Sequence, residues 1–253
     1  MAGNIKVLFI GAHNDDCEYG AGGAAVLLKD RGCETVFLNV ACTRHADFDA
    51  ETLAKMNRQE TDAAEALGAS KIITGDRSRE TYFYTQKNVD IIEEQLHQIK
   101  ADIVFMHWQR DNHIEHVSTA KCTLDALCLA DVHGYAPRET YAFEAGPNQT
   151  SAYFNPDFYI DIDGAMERVK KSLLIFNQHH ANGEGLWREK EVAARFRGHL
   201  AHRTWAEAFK IMKYPYGYDD CELLLPKLLK GSFCWAGGGM YPYGRRYYLM
   251  PAE

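Results

Sequence analysis

An apolar run, Val7-Leu8-Phe9-Ile10, passes directly into Gly11-Ala12-His13-Asn14-Asp15-Asp16, and a Gly-rich segment, Gly20-Ala21-Gly22-Gly23, follows. Such an uninterrupted apolar run reads as a strand of a parallel sheet buried on both faces. In open α/β sheets ligands gather at the carboxyl ends of the strands, which is where His13, Asp15 and Asp16 fall. One imidazole and two carboxylates so close together suit a metal site better than a core. The plainer alternative is that Asp15 and Asp16 cap the following helix, since carboxylates favour helix N-termini.

The pattern then repeats. Strands are expected at residues 5–10, 35–40, 71–74 and 101–106, and helices at 20–31, 51–67, 88–100 and 115–129. Alternation of this kind predicts an α/β fold with a doubly wound, mostly parallel sheet flanked by helices. From about residue 135 the pattern becomes α+β, with short strands at 139–143 and 157–161, helices at 164–176 and 187–201, and a Tyr-, Pro- and Gly-rich tail with a strand at 246–250. The expected organisation is one domain over 1–253, a core at 1–134 carrying both polar clusters and a C-terminal elaboration at 135–253.

The second cluster, His107, Asp111, His113, Glu115 and His116, follows the fourth expected strand. In a parallel sheet it shares an edge with the first, so the two can converge. Two imidazoles and a carboxylate with an open position make a catalytic zinc set, and His13, Asp16 and His116 supply it. Asp15 is then free to act as general base toward metal-activated water. His113 and His116 taken alone read more often as surface residues than as ligands.

The 253 residues are ample for a core, and the net charge of −7 argues against nucleic acid as a partner. Seven cysteines without a C-x-x-C pair fit a reducing cytoplasm. Neither a signal segment nor a membrane span is expected. Arg44 and His45, on the loop after the second strand, are candidate substrate contacts, as are Arg77, Arg79, Tyr82 and Tyr84; the alternative is a solvated loop. His179 and His180 either reach the site or sit at a helix end, and the tail tyrosines suit sugar stacking or a subunit contact.

Residues 12–18 resemble the motif Ala-His-Pro-Asp-Asp-x-Glu of the PIG-L/LmbE-like de-N-acetylase family, and residues 111–116 its later Asp-x-His-x-Asp-His. Lys171-Ser172-Leu173-Leu174 with Gln178, Arg195–Gly198 and Ala206-Glu207-Ala208-Phe209 are similar to its later segments. The resemblance implies a Rossmann-like fold, one Zn2+ per chain, and removal of an N-acetyl group from an N-acetylglucosamine-type sugar conjugate; sites of this kind accept other divalent ions as well. It assigns His13, Asp16 and His116 as ligands, Asp15 as base, His113 to the reacting carbonyl, and Asp111 to orientation or substrate contact. It also implies a homo-oligomer, a trimer or hexamer. Two positions depart from the motif: Asn14 replaces a Pro that would fix φ, and Glu115 replaces an Asp, adding a methylene. Cys17, inside the first motif, is expected to pack. Rival readings are a zinc amidase acting on another N-acyl substrate, such as a thiol conjugate or an antibiotic, and a non-catalytic sugar-binding relative. A nucleotide-binding Rossmann protein fails for want of G-x-G-x-x-G in the first loop.

Overall fold

The computed structural model describes residues 5–40, 48–74, 83–146, 153–178, 181–212 and 223–236. Strands β1 (Lys6–Gly11), β2 (Glu34–Asn39), β3 (Ser70–Ile73), β4 (Ile103–His107) and β5 (Glu139–Phe143) are parallel and lie in the order β3-β2-β1-β4-β5. The sheet continues antiparallel through β9 (Ala206–Ile211), β6 (Phe158–Asp161) and β10 (Phe233–Trp235). It is thus a mixed, mostly parallel sheet of eight strands. A separate two-residue pairing joins β7 (Asn177–Gln178) to β8 (Ala181–Asn182).

Strand alternation divides the core. Val7 and Phe9 of β1 face α1 (Asp16–Asp30), α2 (Ala50–Leu67) and α5 (Met166–Leu173). Leu8 and Ile10 face α3 (Gln86–Ile99) and α4 (Ile114–Val132). Both faces are therefore dry, as parallel sheets require. Helix α6 (Gly183–Ala201) covers β9, and the short α7 (Leu224–Leu228) adds to the first face.

Two features of this frame place the functional edge. The strand order reverses between β1 and β4, and their register sets Ile10 beside Met106, so both carboxyl ends open into one crevice. Helix α1 starts at Asp16 rather than at residue 20 because its glycines pack rather than break it. A Cβ on Gly20 would overlap the Phe143 ring, and one on Gly23 would lie 2.5 Å from Cγ2 of Ile162. The helix kinks at Ala21 (φ −142°). The amides of Gly23 and Ala24, each at 2.8 Å, donate to the Glu207 carboxylate of β9.

Several expectations need correction or fall outside the described residues. Strand β9 was not expected, because the buried Glu207 interrupts its apolar pattern; nor were α7 and β10, embedded in the polar tail. Helix α5 is shorter than expected, ending at Leu173. Arg44, His45, Arg77, Arg79, Tyr82, His179, His180, the tail tyrosines and the strand at 246–250 lie outside the described residues. Among the described residues no helix is long and apolar enough to cross a membrane.

Candidate metal centre

The loop after β1 and the first turn of α4 meet at the crevice. Nδ1 of His13 lies 3.1 Å from Nε2 of His116 and 3.5 Å from Oδ2 of Asp16. Nε2 of His116 lies 3.3 Å from Oδ1 of Asp16. A tetrahedral ion with ligands at about 2.0–2.1 Å has ligand–ligand edges of about 3.3 Å. A turn of the Asp16 carboxylate, whose Oδ2 faces His13 and whose Oδ1 faces His116, lets these three side chains hold one ion.

Each imidazole is gripped from behind. The Glu115 carboxylate contacts Nε2 of His13, and Asp111 Oδ2 lies 2.9 Å from Nδ1 of His116. Outer carboxylates of this kind fix the tautomer and leave the other ring nitrogen for a metal. Asp111, whose side chain is 3% exposed, also accepts from the His113 amide at 2.8 Å. Its described contacts are thus with the histidines of the cluster.

Further groups surround this set. His107, the last residue of β4, places Nε2 2.9 Å from Oδ2 of Asp16 and 3.0 Å from the Ala12 amide nitrogen. Asp16, His107 and His116, and likewise His13, His113 and His116, each bring one ligand atom per residue within 4.8 Å of the other two. The His107 side chain is 1% exposed and sealed from solvent, whereas His13 is 25% and His113 47% exposed. Only an ion held toward His13 can meet water and substrate.

The charges follow from this packing. Burial opposes charge on His13, yet Asp16 and Glu115 raise its pKa well above the usual imidazole value. Burial likewise opposes charge on His116, but Asp16 and the Asp111 hydrogen bond hold its pKa at about 9. Asp16 resists its own desolvation because His116, His107 and His13 surround it, and it sits well below the ordinary carboxylate range. Burial, and then the adjacent Asp16 charge, raise the Asp15 carboxyl. Burial lowers His107 to about 4, and burial with His13 and His116 lowers His113.

Asp15 occupies the N-cap position of α1, but its side chain makes no capping hydrogen bond. The capping alternative therefore fails for Asp15. Asp16 does turn back, accepting from the His13 amide at 2.6 Å while remaining among the imidazoles. His113 caps α4: its Nδ1 accepts from the Glu115 amide at 3.3 Å, so Nε2 carries the proton of the neutral ring. Tyr84 is engaged elsewhere, donating to Asp125 at 2.5 Å. Cys17 is fully buried in the core.

Sequence reasoning left one support unseen. Nζ of Lys71, on β3, donates to the Asn14 carbonyl at 2.8 Å and to Glu18 at 2.9 Å, and neither charged side chain is exposed. The loop that lacks the family's proline is thus anchored through its carbonyl. Burial lifts the Glu18 carboxyl to about 7 despite Lys71. A lysine within an otherwise apolar short strand, Lys71-Ile72-Ile73, was the available signal.

Residues 8–127 match the PIG-L family, described as GlcNAc-PI de-N-acetylase. The chain is 26% identical over 224 residues to the diacetylchitobiose deacetylase of Thermococcus kodakarensis, covering 82% of this chain and 83% of that one. The N,N′-diacetylchitobiose deacetylase of Pyrococcus horikoshii has a similar structure, with TM-score 0.67 and 20% identity over 85% of this chain and 88% of that one. The 4-carboxy-2-hydroxymuconate hydratase GalB of Pseudomonas putida also has TM-score 0.67 and 20% identity, covering 85% and 99%. The fold alone therefore does not choose the chemistry. The PIG-L match, over residues 8–127, spans both motifs that meet at the β1–β4 crevice.

Proposed function

We propose that this protein is a zinc-dependent hydrolase that removes the N-acetyl group from an N-acetylglucosamine-type sugar conjugate. The observation that carries the reading is the convergence of His13, Asp16 and His116, Nδ1 of His13 lying 3.1 Å from Nε2 of His116 and one Asp16 oxygen within 3.5 Å of each ring, with both imidazoles held by carboxylates. The PIG-L match and the deacetylase relatives support the same reaction. Two imidazoles and one carboxylate suit zinc, and their spacing fits it.

Zinc, when bound there, supplies Lewis acidity that acidifies water and polarises the amide carbonyl. Asp15 takes the proton of the attacking water. Its raised pKa, set by burial and Asp16, suits a group that must hold that proton and return it to the leaving amine. Nε2–H of His113, half-exposed at the crevice, faces the developing oxyanion and donates to it. Asp111 and Glu115 keep the ligand rings oriented. Arg44 remains a candidate for the sugar's aglycone.

The reading extends to a single-domain cytoplasmic enzyme acting on a small molecule. The free state of the five described cysteines is compatible with a reducing compartment. The test is acetate and free-amine release from N,N′-diacetylchitobiose and from a panel of N-acetylglucosaminyl conjugates, with zinc-loaded protein. Release of both products in equal amounts supports deacetylation. Consumption of N-acyl substrates other than acetamides, with no acetamide cleaved, would replace it with the broader amidase reading.

A further inference from the structure

A second cluster of ligating side chains lies at the opposite edge of the sheet. Glu93 and His97 stand one turn apart on α3, and His133 caps the C-terminus of α4. Nδ1 of His133 lies 2.5 Å from Oε1 of Glu93, and Nε2 of His97 lies 3.5 Å from the same oxygen. One ligand atom from each of the three residues lies within 4.8 Å of the other two. His116 and His133 are at opposite ends of α4, about 25 Å apart at 1.5 Å per residue, so this cluster is separate from the catalytic crevice.

We propose that Glu93, His97 and His133 form a second divalent transition-metal site that clips α3 to α4. The donor set is two imidazoles and one carboxylate, which selects zinc-like ions over calcium or magnesium. The three residues come from two packed helices rather than from one loop, and their backbones are fixed. The His133 amide donates to the Leu129 carbonyl at 2.9 Å, and the Tyr135 hydroxyl donates to the Ala101 carbonyl. The side chains are 14%, 33% and 57% exposed for Glu93, His97 and His133, which leaves room for water to complete a coordination shell. Helix spacing alone puts Glu93 and His97 side by side, and the packing of α4 on α3 brings His133 to the same carboxylate oxygen as the third donor. An ion drawn to the folded state alone stabilises it in proportion to its occupancy.

The test is titration of metal-free protein with Zn2+, and separately with Co2+, comparing wild type with His133→Ala, His133→Gln and His97→Gln. Calorimetry counts the equivalents, thermal unfolding reads the stabilisation, and Co2+ absorption reports imidazole ligation. The expected result is a second equivalent in wild type whose affinity falls at least tenfold in all three variants. The zinc-induced rise in Tm shrinks with it, while acetate release by the zinc-loaded variants is unchanged. His133→Gln keeps the side chain's polarity, so a loss shared by both His133 variants reports ligation rather than misfolding. A wild-type protein that binds one equivalent, unaffected by these substitutions, overturns the proposal. So does a second equivalent that persists unchanged in the variants.

Discussion

Oδ2 of Asp111 lies 2.9 Å from Nδ1 of His116, across the turn that opens α4. The contact leaves Nε2 of His116 turned toward Asp16 and His13. Asp111 is thus placed to act through His116. Removing such an outer partner typically lowers metal affinity about 10–100-fold. Asp111→Ala is expected to show that loss in a zinc-chelator competition assay, with KM little changed once zinc saturates the protein. A raised KM with unchanged zinc affinity would instead place Asp111 on the substrate.

Glu115 offers a related test, because its side chain, buried at 3% exposure, reaches Nε2 of His13. Restoring the family's residue by Glu115→Asp removes one methylene and withdraws the carboxylate from that nitrogen. Zinc affinity is expected to fall by about tenfold. Equal affinity in the two proteins would mean that His13 needs no such support here.

Lys71 and Glu18 are an ion pair with no exposed surface. Breaking such a pair costs about 3–5 kcal/mol, because the remaining charge is stranded, whereas replacing both partners is often neutral. Lys71→Met should lose that much in urea unfolding, and Lys71→Met with Glu18→Leu should recover most of it. Turnover should not recover in the double variant, since the Asn14 carbonyl has still lost its donor. A double variant as unstable as the single one would argue against a stranded charge.

Gly23 tests how α1 is seated. A Cβ there would meet Ile162 at 2.5 Å and Oε1 of Glu207 at 3.1 Å. Overpacking of this kind usually costs about 1–3 kcal/mol. Gly23→Ala should fall in that range by thermal or denaturant unfolding, although alanine is the better helix former. Unchanged or increased stability would show that the helix shifts freely.

Much of this centre was legible from the chain. Parallel strands share one edge at their carboxyl ends, so His13-Asn-Asp15-Asp16 and His113-Ile-Glu-His116 had to meet once β1 and β4 were recognised. What stayed hidden depends on register and on side-chain reach. Lys71 meets Glu18 and Asn14 only because β3 lies beside β2, two strands from β1. His107 ends an apolar strand, and nothing in its position reveals that it backs Asp16 rather than opening to solvent. Glu207 hid β9, because a buried carboxylate resembles a loop residue until its partners, the Gly23 and Ala24 amides and Lys190, are seen.

The proposed hydrolysis depends on an ion held jointly by His13, Asp16 and His116. Its most direct test is zinc per chain and acetate release for His116→Ala beside wild type, both purified and then supplied with zinc. The variant is expected to hold one fewer equivalent of zinc and to show no detectable turnover. Equal zinc content in the two proteins, or turnover that survives the substitution, would contradict it.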